Sequence, residues 1–443
     1  MKRALFCTLC LVCALPAYSE TTYAPAVNVG YVSQRLSQLF KNKFGFSIGI
    51  TDNANTSSIA NMQYLLGTID RINSATGNET NYVNTPQSTN QAINTKSIDD
   101  AFNTLVAPYK FYLTVNGTNS YTFEINASGT FIVNCGTNGN FNDSGTPGAE
   151  LLTMTPTAKT TITCTWPDSG EHIIALGGQA TGYDSTLYTD GSGTTTPQYS
   201  TIRFPKGNNL VKISGGLGKI FSTLSNGKQP MFYKTFADQT GLTTIPEDLF
   251  STIDENDNVV AGINGAPGES MFSHTFTGST GLTGKIPANL FAGVRGAPAE
   301  RMFFATFYGT SNINTIGETD TEGLFTRIDG NMAREMYRDI FQKSGLTKLP
   351  SKLFGYTDFG NTDNHHSAFL RAFTDNYNLS GTPATAQTSA DGEHIELWEI
   401  PAYRAQTTSH QQYKNYANQP NMLWIYHNTN IDNSSGMHGT WKN

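Results

Sequence analysis

Cysteine is the residue in this chain whose type and spacing most directly suggest chemistry. The 443-residue sequence has five cysteines, and three of them lie within residues 7–13, in a stretch that the leader described below would remove. Cys135 and Cys164 would remain as one pair. In an oxidising compartment they would form a disulfide worth about 3 to 4 kcal/mol. Two free buried thiols are the alternative. A metal site is not expected, because His172 is the one further ligand close in sequence.

Histidines and acidic residues do not form a recognisable catalytic motif. No H-E-x-x-H or G-x-S-x-G sequence occurs. Asp254, Asn256 and Asn258 imitate the start of a calcium-binding loop, but Val259 stands where an EF-hand requires glycine. That segment is better explained as an insertion between repeats. We therefore predict no catalytic residue, cofactor or metal site. A carbohydrate-active enzyme built on two carboxylates that meet in the fold stays as a minor alternative.

The N-terminus predicts an export signal in residues 1–19. Lys2 and Arg3 form a charged head, residues 4–15 are mostly apolar, and Ala17-Tyr18-Ser19 is a small-x-small cleavage site. The apolar run is shorter than the roughly 20 residues that a membrane-spanning helix needs. We expect a mature chain that starts at Glu20, has no membrane span, and is secreted, displayed at the cell surface or periplasmic.

The composition narrows the classes of function. Charged residues make up 14% of the chain, against roughly 25% in an average soluble protein. The net charge of -7 argues against a nucleic-acid partner, which would require a basic surface.

Residues 20–106 predict short helices followed by a linker. Apolar residues recur at helical spacing in two stretches: Val32, Leu36, Leu39 and Phe40, then Ile59, Met62, Leu66 and Ile69. Residues 75–96 are rich in Asn, Thr and Gln and nearly free of charge, as in a linker.

Residues 107–214 predict a β-sandwich domain. Polar and apolar residues alternate in 110–115, 121–125 and 130–133, and Asn116-Gly117 and Ser128-Gly129 supply turns. The sequences F-I-V-N-C-G at 131–136 and G-E-H-I-I-A-L at 170–176 resemble PKD-like, immunoglobulin-type modules of bacterial surface proteins. The resemblance implies an immunoglobulin-like sandwich.

A Met-Phe-x-x-Thr-Phe motif recurs from residue 231 to residue 354. Copies begin at Met231, Met271 and Met302, a looser copy begins at Met336, and each is followed by apolar residues at a spacing of three or four. These positions predict a repeat core: Met231, Phe232, Phe236, Leu242, Ile245, Met271, Phe272, Phe276, Leu282, Ile286, Met302, Phe303, Phe307, Ile313, Ile316, Met336, Phe341, Leu346 and Leu349.

The motif predicts a short helix followed by a short strand. Methionine and the two phenylalanines would share one helical face, because positions i, i+1 and i+5 cluster on a 3.6-residue period. Gly241, Gly281 and Gly345 stand where a helix would end with positive φ. One such unit cannot cover its own apolar side, so we expect an α/β solenoid over residues 215–356. Residues 357–443 predict degenerate repeats and a C-terminal cap.

The repeat resembles BspA-like leucine-rich-repeat surface proteins, in which a Phe-rich helical segment precedes a Leu-x-x-Ile strand near a proline. The resemblance implies an exported or surface-exposed bacterial protein associated with adhesion, and it implies no catalytic residues. The full expectation for the fold is a multi-domain chain with N-terminal short helices, an all-β PKD/Ig-like sandwich, and an α/β leucine-rich-repeat-like solenoid.

Function is predicted as non-enzymatic binding or adhesion through the repeats. The partner would be a protein or glycan of a host or neighbouring-cell surface, with self-association as a further option. Solvent-facing positions between the core residues form the candidate binding face: Thr243, Thr244, Thr283, Lys285, Asn314, Thr315, Thr347 and Lys348. A structural subunit of a surface layer or appendage is the main alternative.

Overall fold

A computed structural model describes residues 109–136, 139–141, 149–154, 159–189, 195–256, 258–318, 323–358, 367–388, 392–399 and 425–431. All of these residues lie in a single compact unit. The predicted export signal, the helices of residues 20–106 and their linker fall outside the described residues.

The described residues form β-strands, turns and two 3₁₀ helices, Leu217–Lys219 and Leu397–Glu399. The first eleven strands are β1 Tyr109–Val115, β2 Ser120–Ile125, β3 Ala127–Asn134, β4 Asn140–Phe141, β5 Ala149–Met154, β6 Thr160–Thr165, β7 His172–Tyr183, β8 Leu187–Thr189, β9 Thr195–Pro197, β10 Ile202–Arg203 and β11 Leu210–Gly215. The remaining ten are β12 Ser251–Ile253, β13 Val259–Gly262, β14 Gly284–Ile286, β15 Ile313–Ile316, β16 Gly330–Asn331, β17 Thr357–Asp358, β18 Ser380–Gly381, β19 Thr385–Gln387, β20 His394–Glu396 and β21 Asn430–Ile431.

Strands β1 to β11, apart from the β8–β9 hairpin, build two antiparallel sheets. One sheet has the order β11-β1-β7-β3-β5 and the other has the order β10-β2-β6-β4. Alternation decides which side chains are buried: Phe111, Leu113 and Val115 of β1 are buried, as are Tyr121 and Phe123 of β2. These residues share one apolar core.

A disulfide joins the two sheets of this β unit. Cys135 directly follows β3, Cys164 lies in β6, and the structure bonds their sulfur atoms, with both residues fully buried. Trp166 packs beside the disulfide, and its indole Nε1 donates a hydrogen bond to the Cys135 carbonyl at 2.8 Å. The bridge ties the two sheets to each other in the folded state, and it restricts the unfolded chain by closing a loop across a sequence separation of 29.

The expected α/β solenoid is wrong, because the described residues contain no α-helix. Where each helix was predicted, the chain forms a run of turns, at residues 233–238, 269–278, 300–309, 334–343, 367–375 and 425–428. We call these runs turn segments. The segments are separated by strands of only two to four residues, which pair in twos.

The first five turn segments depart from a helix through left-handed residues at every fourth position, and the sixth contains one such residue, Asn428. In the second segment these residues are Ser270, His274 and Gly278, with φ of 56°, 57° and 69°. A right-handed α-helix requires negative φ throughout. The repeated reversal of φ therefore breaks the continuous i→i−4 hydrogen bonding on which a helix depends.

The backbone amides of a turn segment alternate between two kinds of acceptor. Thr275 N donates to Phe272 O within the segment at 3.2 Å, whereas His274 N and Phe276 N donate to Phe304 O and Thr306 O of the next segment at 2.8 and 2.9 Å. Half of the amides thus link neighbouring segments, as in a sheet. With both kinds of hydrogen bond, the buried backbone N–H and C=O groups are paired while the apolar side chains face one core.

The motif phenylalanines stack in parallel columns across the segments. The longest column runs through Phe204, Phe236, Phe276, Phe307, Phe341, Phe373 and Tyr426, with successive ring centroids 5.1 to 5.6 Å apart. A second column contains Phe232, Phe272, Phe303, Tyr337 and Phe369. All predicted core residues are buried except Ile245, which is partly buried and packs on the same core.

Phe204 places the β unit and the repeats in one continuous core. Its ring lies 5.7 Å from that of Phe123 in β2 and stacks at 5.1 Å on that of Phe236 in the first turn segment. The backbone is joined as well, since Phe204 N donates to Thr235 O at 3.1 Å. The residues between β10 and β11 therefore serve as the first layer beneath the turn segments.

The glycines expected to end helices have a different role. Gly241, Gly281 and Gly345 do not adopt positive φ. A Cβ at Gly241 would lie 2.0 Å from Asn208 O, and one at Gly345 would lie 2.1 Å from Ser311 O. Glycine is needed there because two backbones approach too closely for any side chain.

Candidate functional site

The predicted binding-face residues lie on the short strands and turns between turn segments. In β15, Ile313 and Ile316 are buried while Asn314 is exposed and Thr315 is partly exposed. The other predicted members, Thr243, Thr244, Thr283, Lys285, Thr347 and Lys348, are all exposed. The apolar residues on either side anchor each short stretch to the core, so the polar residues between them must face outward.

Hydrogen bonds align these residues from one repeat to the next. Thr283 N donates to Thr243 O at 3.0 Å, and Thr347 N donates to Asn314 O at 3.0 Å. Lys285 of β14 lies opposite Thr315 of β15 in a parallel pair. The structure therefore brings residues that are 30 to 40 positions apart in sequence into one file, which we call the polar row.

The polar row extends further than the sequence indicated. Ser380 N donates to Thr347 O at 3.0 Å, and Ser380 in turn lies opposite Asn430 of β21. Each of the two residues is next to a buried apolar residue of the degenerate C-terminal repeats, Leu379 before Ser380 and Ile431 after Asn430. Each repeat advances by about 4.8 Å, the spacing of paired strands. From Thr243 to Asn430 the row is therefore roughly 25 Å long.

The polar row has a cationic character. Lys285 and Lys348 are its charged members, and both are exposed. The remaining side chains offer hydroxyl and amide groups, which both donate and accept hydrogen bonds. Such a surface can contact peptide groups or sugar hydroxyls without requiring a matching apolar partner.

Sequence reasoning missed a ladder of buried threonines inside the repeats. The threonine of the motif is fully buried in three copies, as Thr235, Thr275 and Thr306. Thr275 Oγ1 donates to Phe232 O at 2.9 Å, and Thr306 Oγ1 donates to Phe272 O at 2.9 Å. The recurrence of threonine just before the second phenylalanine was the available signal.

A cluster of buried charges lies in the third to fifth turn segments. Arg301 and Arg338 both form ion pairs with Glu335, and Arg371 contacts Asp339 through two hydrogen bonds of 2.7 and 2.9 Å. Burial raises the pKa of Glu335, but Arg301 and Arg338 outweigh it and hold that pKa below its ordinary value. For Asp339, burial dominates over Arg371 and Arg338, so its pKa is raised.

Arg301 also connects this cluster to the β unit. Its guanidinium Nη1 donates a hydrogen bond to the Thr195 carbonyl of β9. The β8–β9 hairpin is therefore fastened against the turn segments through the same arginine that pairs with Glu335. The cluster is thus suited to fixing the position of the hairpin.

His274 lies on the outer side of the second turn segment among aromatic rings. Its imidazole contacts Tyr233 and Phe304 edge to face, at centroid distances of 5.9 and 4.9 Å. Burial lowers the pKa of His274 to about 4, with Lys234 and Arg301 contributing. The ring is therefore neutral near pH 7, where its Nδ1 can share a hydrogen bond with Ser273 Oγ at 2.8 Å.

The loop that imitates a calcium site closes the β12–β13 hairpin. Asp254 Oδ1 accepts hydrogen bonds from the backbone amides of Asn256 and Asn258, both at 2.9 Å. These bonds lower the pKa of Asp254. The motif residues thus stabilise a turn between paired strands.

The described part of the chain contains neither a cluster of metal ligands nor a membrane-spanning helix. Within it, no group of three or more His, Cys, Asp or Glu residues is placed to hold a metal ion. Among the same residues, no helix has the length and apolar character needed to cross a membrane.

Comparison with known proteins assigns no relative to this chain. No family model, curated protein or solved structure matches it. The resemblances to BspA-like and PKD-like proteins therefore stay predictions from sequence motifs, and the functional argument depends on the chain's own geometry.

Proposed function

We propose that this protein is an exported binding protein, and that its repeats hold the polar row as a rigid contact surface for an elongated partner. The observation that supports this is the alignment of Thr243, Thr283, Asn314, Thr347 and Ser380, by hydrogen bonds between repeats and, between Thr283 and Asn314, by the pairing of β14 with β15. The core fixes which positions face outward and in line, and in each of these repeats that position carries a hydroxyl or amide group.

The partner class follows from the row's shape and chemistry. A file of hydroxyl, amide and ammonium groups roughly 25 Å long, on strands spaced by about 4.8 Å, suits a polypeptide or glycan chain lying across the repeats. Stacked repeats commonly offer such extended surfaces. A rigid surface also loses little conformational entropy when it binds.

Export is supported by the buried disulfide as well as by the N-terminal sequence. Cys135 and Cys164 are bonded in the structure. Disulfides persist in oxidising compartments and are rare in the cytosol. The expected location is secreted, cell-surface or periplasmic.

The test is a binding screen of the purified mature protein against a glycan array and a panel of extracellular matrix proteins. A hit is then measured with Thr283→Glu and Thr347→Glu, which place charge in the row without removing backbone hydrogen bonds. Ser225→Glu, at an exposed position in the loop before the first turn segment, is the matched control.

The proposal predicts that both row variants weaken binding at least about tenfold, since like or buried charges at an interface are costly. Ser225→Glu should bind as the wild type does. Equal binding by the row variants would refute the polar row as the contact surface. Spontaneous filaments or sheets without ligand binding would instead favour a structural subunit.

A further inference from the structure

The short strands of the repeats have a counterpart inside the β unit. In β11, Val211 and Lys212 lie between two buried apolar residues, Leu210 and Ile213. In the first repeat, two threonines lie between a leucine and an isoleucine in the same way. β11 therefore forms a layer of the same kind, directly before the first repeat.

A hydrogen bond joins β11 to the polar row. Thr243 Oγ1 donates to Val211 O at 3.4 Å, and Thr283 Oγ1 donates to Thr243 O at the same distance. Val211 therefore has the position in its layer that Thr243 has in the next. Lys212 follows Val211 directly, so it corresponds to Thr244.

Lysine and threonine alternate at this second outward position. In successive layers the residues, which we call the lysine file, are Lys212, Thr244, Lys285, Thr315 and Lys348. The second repeat has one extra residue, Gly284, yet the register shift beside it leaves Lys285 opposite Thr315. A lysine thus occurs at every second layer, and successive lysines are about 9.6 Å apart because paired strands are about 4.8 Å apart.

The lysine file differs in charge from the chain as a whole. The chain has 28 Lys and Arg residues against 35 Asp and Glu residues, so acidic residues are in excess. The outward positions of these layers nevertheless carry lysines and no carboxylate. All three lysines are exposed, and none forms an ion pair with another described residue. Exposed positive charge of this kind attracts an anionic partner.

The spacing of the lysines distinguishes between anionic partners. In an extended peptide, side chains on one face repeat at about 6.7 Å, which is shorter than two layers. A polyproline II peptide repeats at about 9.3 Å, but proteins bind such peptides in grooves lined by aromatic residues. The positions between the lysines carry Thr244 and Thr315 instead, whose hydroxyls can hydrogen-bond to sugar hydroxyls. A sugar ring is close in length to one layer spacing, so two rings match two layers.

We propose that the lysine file binds a linear glycan that carries a carboxylate on every second sugar ring. Each lysine ammonium pairs with one carboxylate, and Thr244 and Thr315 hydrogen-bond to the rings between. This inference rests on the function proposed for the polar row and specifies the chemical class of its partner. It also extends the contact surface onto the β unit through Lys212.

The test uses the full mature protein and hyaluronan oligosaccharides long enough to span the three lysines. Hyaluronan carries a carboxylate on alternate rings, and its carboxyl-reduced form is the matched neutral probe. In titration calorimetry hyaluronan should bind, and more weakly as salt rises, because physiological salt screens exposed charges over about 8 Å. The carboxyl-reduced form should bind at least about tenfold more weakly, since three ion pairs are lost and each exposed pair contributes up to about fivefold.

Lysine variants locate the contact. Lys212→Gln, Lys285→Gln and Lys348→Gln should each weaken hyaluronan binding about twofold to fivefold, the usual effect of one exposed ion pair. Lys285→Arg should retain binding, because it keeps the charge. Lys228→Gln, at an exposed position in the loop before the first turn segment, is the matched control and should bind as the wild type does. The melting temperature should be the same in all of these variants, because each side chain is exposed.

Four results would overturn the proposal, and each is distinct from a failure of the polar row. One is a partner from the screen whose binding is lost in Thr283→Glu but unchanged in the lysine variants, which would leave the row as the contact surface without an acidic glycan. A second is equal binding of hyaluronan and its carboxyl-reduced form, and a third is no binding of either. The fourth is an oligoglutamate of equal charge that binds as tightly as hyaluronan, which would favour an acidic polypeptide.

Discussion

Phe276→Ala tests whether stacked rings stabilise the repeats. Phe276 is fully buried, and its ring lies between those of Phe236 and Phe307, 5.4 Å from each and within 6° of parallel. Truncating a buried phenylalanine to alanine costs about 3 to 5 kcal/mol. We expect a loss of at least about 4 kcal/mol, in the upper half of this range, because each stacked aromatic pair adds about 0.5 to 1.5 kcal/mol beyond the burial of apolar area.

The assay is thermal and urea unfolding followed by circular dichroism. A loss of about 4 kcal/mol should lower the melting temperature by roughly 6 °C in a unit of this size. Hydrogen exchange should show faster exchange in the first, second and third turn segments, because the same three segments share the ring contacts and the backbone bonds.

Phe304→Ala is the matched control, as it removes the same side chain from the outer side of a neighbouring segment. Phe304 is partly exposed and contacts His274 edge to face. Its truncation should cost about 1 to 1.5 kcal/mol. The reasoning is refuted if Phe276→Ala is no more destabilising than Phe304→Ala.

Three further changes test the electrostatics and the covalent link. The pKa of His274 lies at about 4 instead of 6.5, so the stability that its neutral form contributes is complete above pH 6.5 and lost as the pH falls toward 4. At 1.36 kcal/mol for each unit of pKa difference, this loss of stability is up to about 3 kcal/mol. His274→Asn removes the titrating group while tolerating positive φ, so the unfolding free energy of this variant should change less between pH 6.5 and pH 4. Glu335→Gln should cost about 3 kcal/mol because it removes the buried carboxylate that pairs with both Arg301 and Arg338 and leaves Arg301, whose side chain is 4% exposed, with the longer 3.8 Å contact to Glu300. Glu300→Gln, at a more exposed carboxylate, should cost under about 1 kcal/mol, and equal losses in urea unfolding would contradict this. Replacing Cys135 and Cys164 together with alanine should cost about 3 to 4 kcal/mol, measured against the oxidised wild type, and no change in the midpoint would show that the bridge does not restrict the unfolded chain.

Much of the repeat core could be predicted from sequence, because burial follows from apolar residues that recur in register. Phe232, Phe236 and their counterparts are buried whichever backbone carries them. Secondary structure could not be obtained the same way. A helix and a turn segment both place residues four or five apart on one side, so the period of apolar residues does not distinguish them.

The left-handed positions explain why the helix prediction failed. Lys234, His274, Arg301, Glu335 and Asp339 all have positive φ, between 52° and 57°. Sequence rules associate such backbone with glycine and asparagine, and these residue types give no such signal. Hydrogen bonds to both neighbouring segments and the buried ring columns offset the local strain.

The candidate binding face could be chosen from sequence, but its geometry could not. Residues such as Thr283 and Thr347 follow the core leucine of each motif, so their outward direction follows from burial of that leucine. Their alignment depends on hydrogen bonds across intervals of 30 to 40 residues.

Ring-to-ring NMR contacts test the central claim most directly. In protein labelled selectively at phenylalanine, nuclear Overhauser effects should connect the ring of Phe276 with those of both Phe236 and Phe307, which are 5.4 Å away. Such contacts would show that successive repeats stack and hold the polar row in line. Their absence, with Phe276 instead contacting residues of its own repeat alone, would contradict the account.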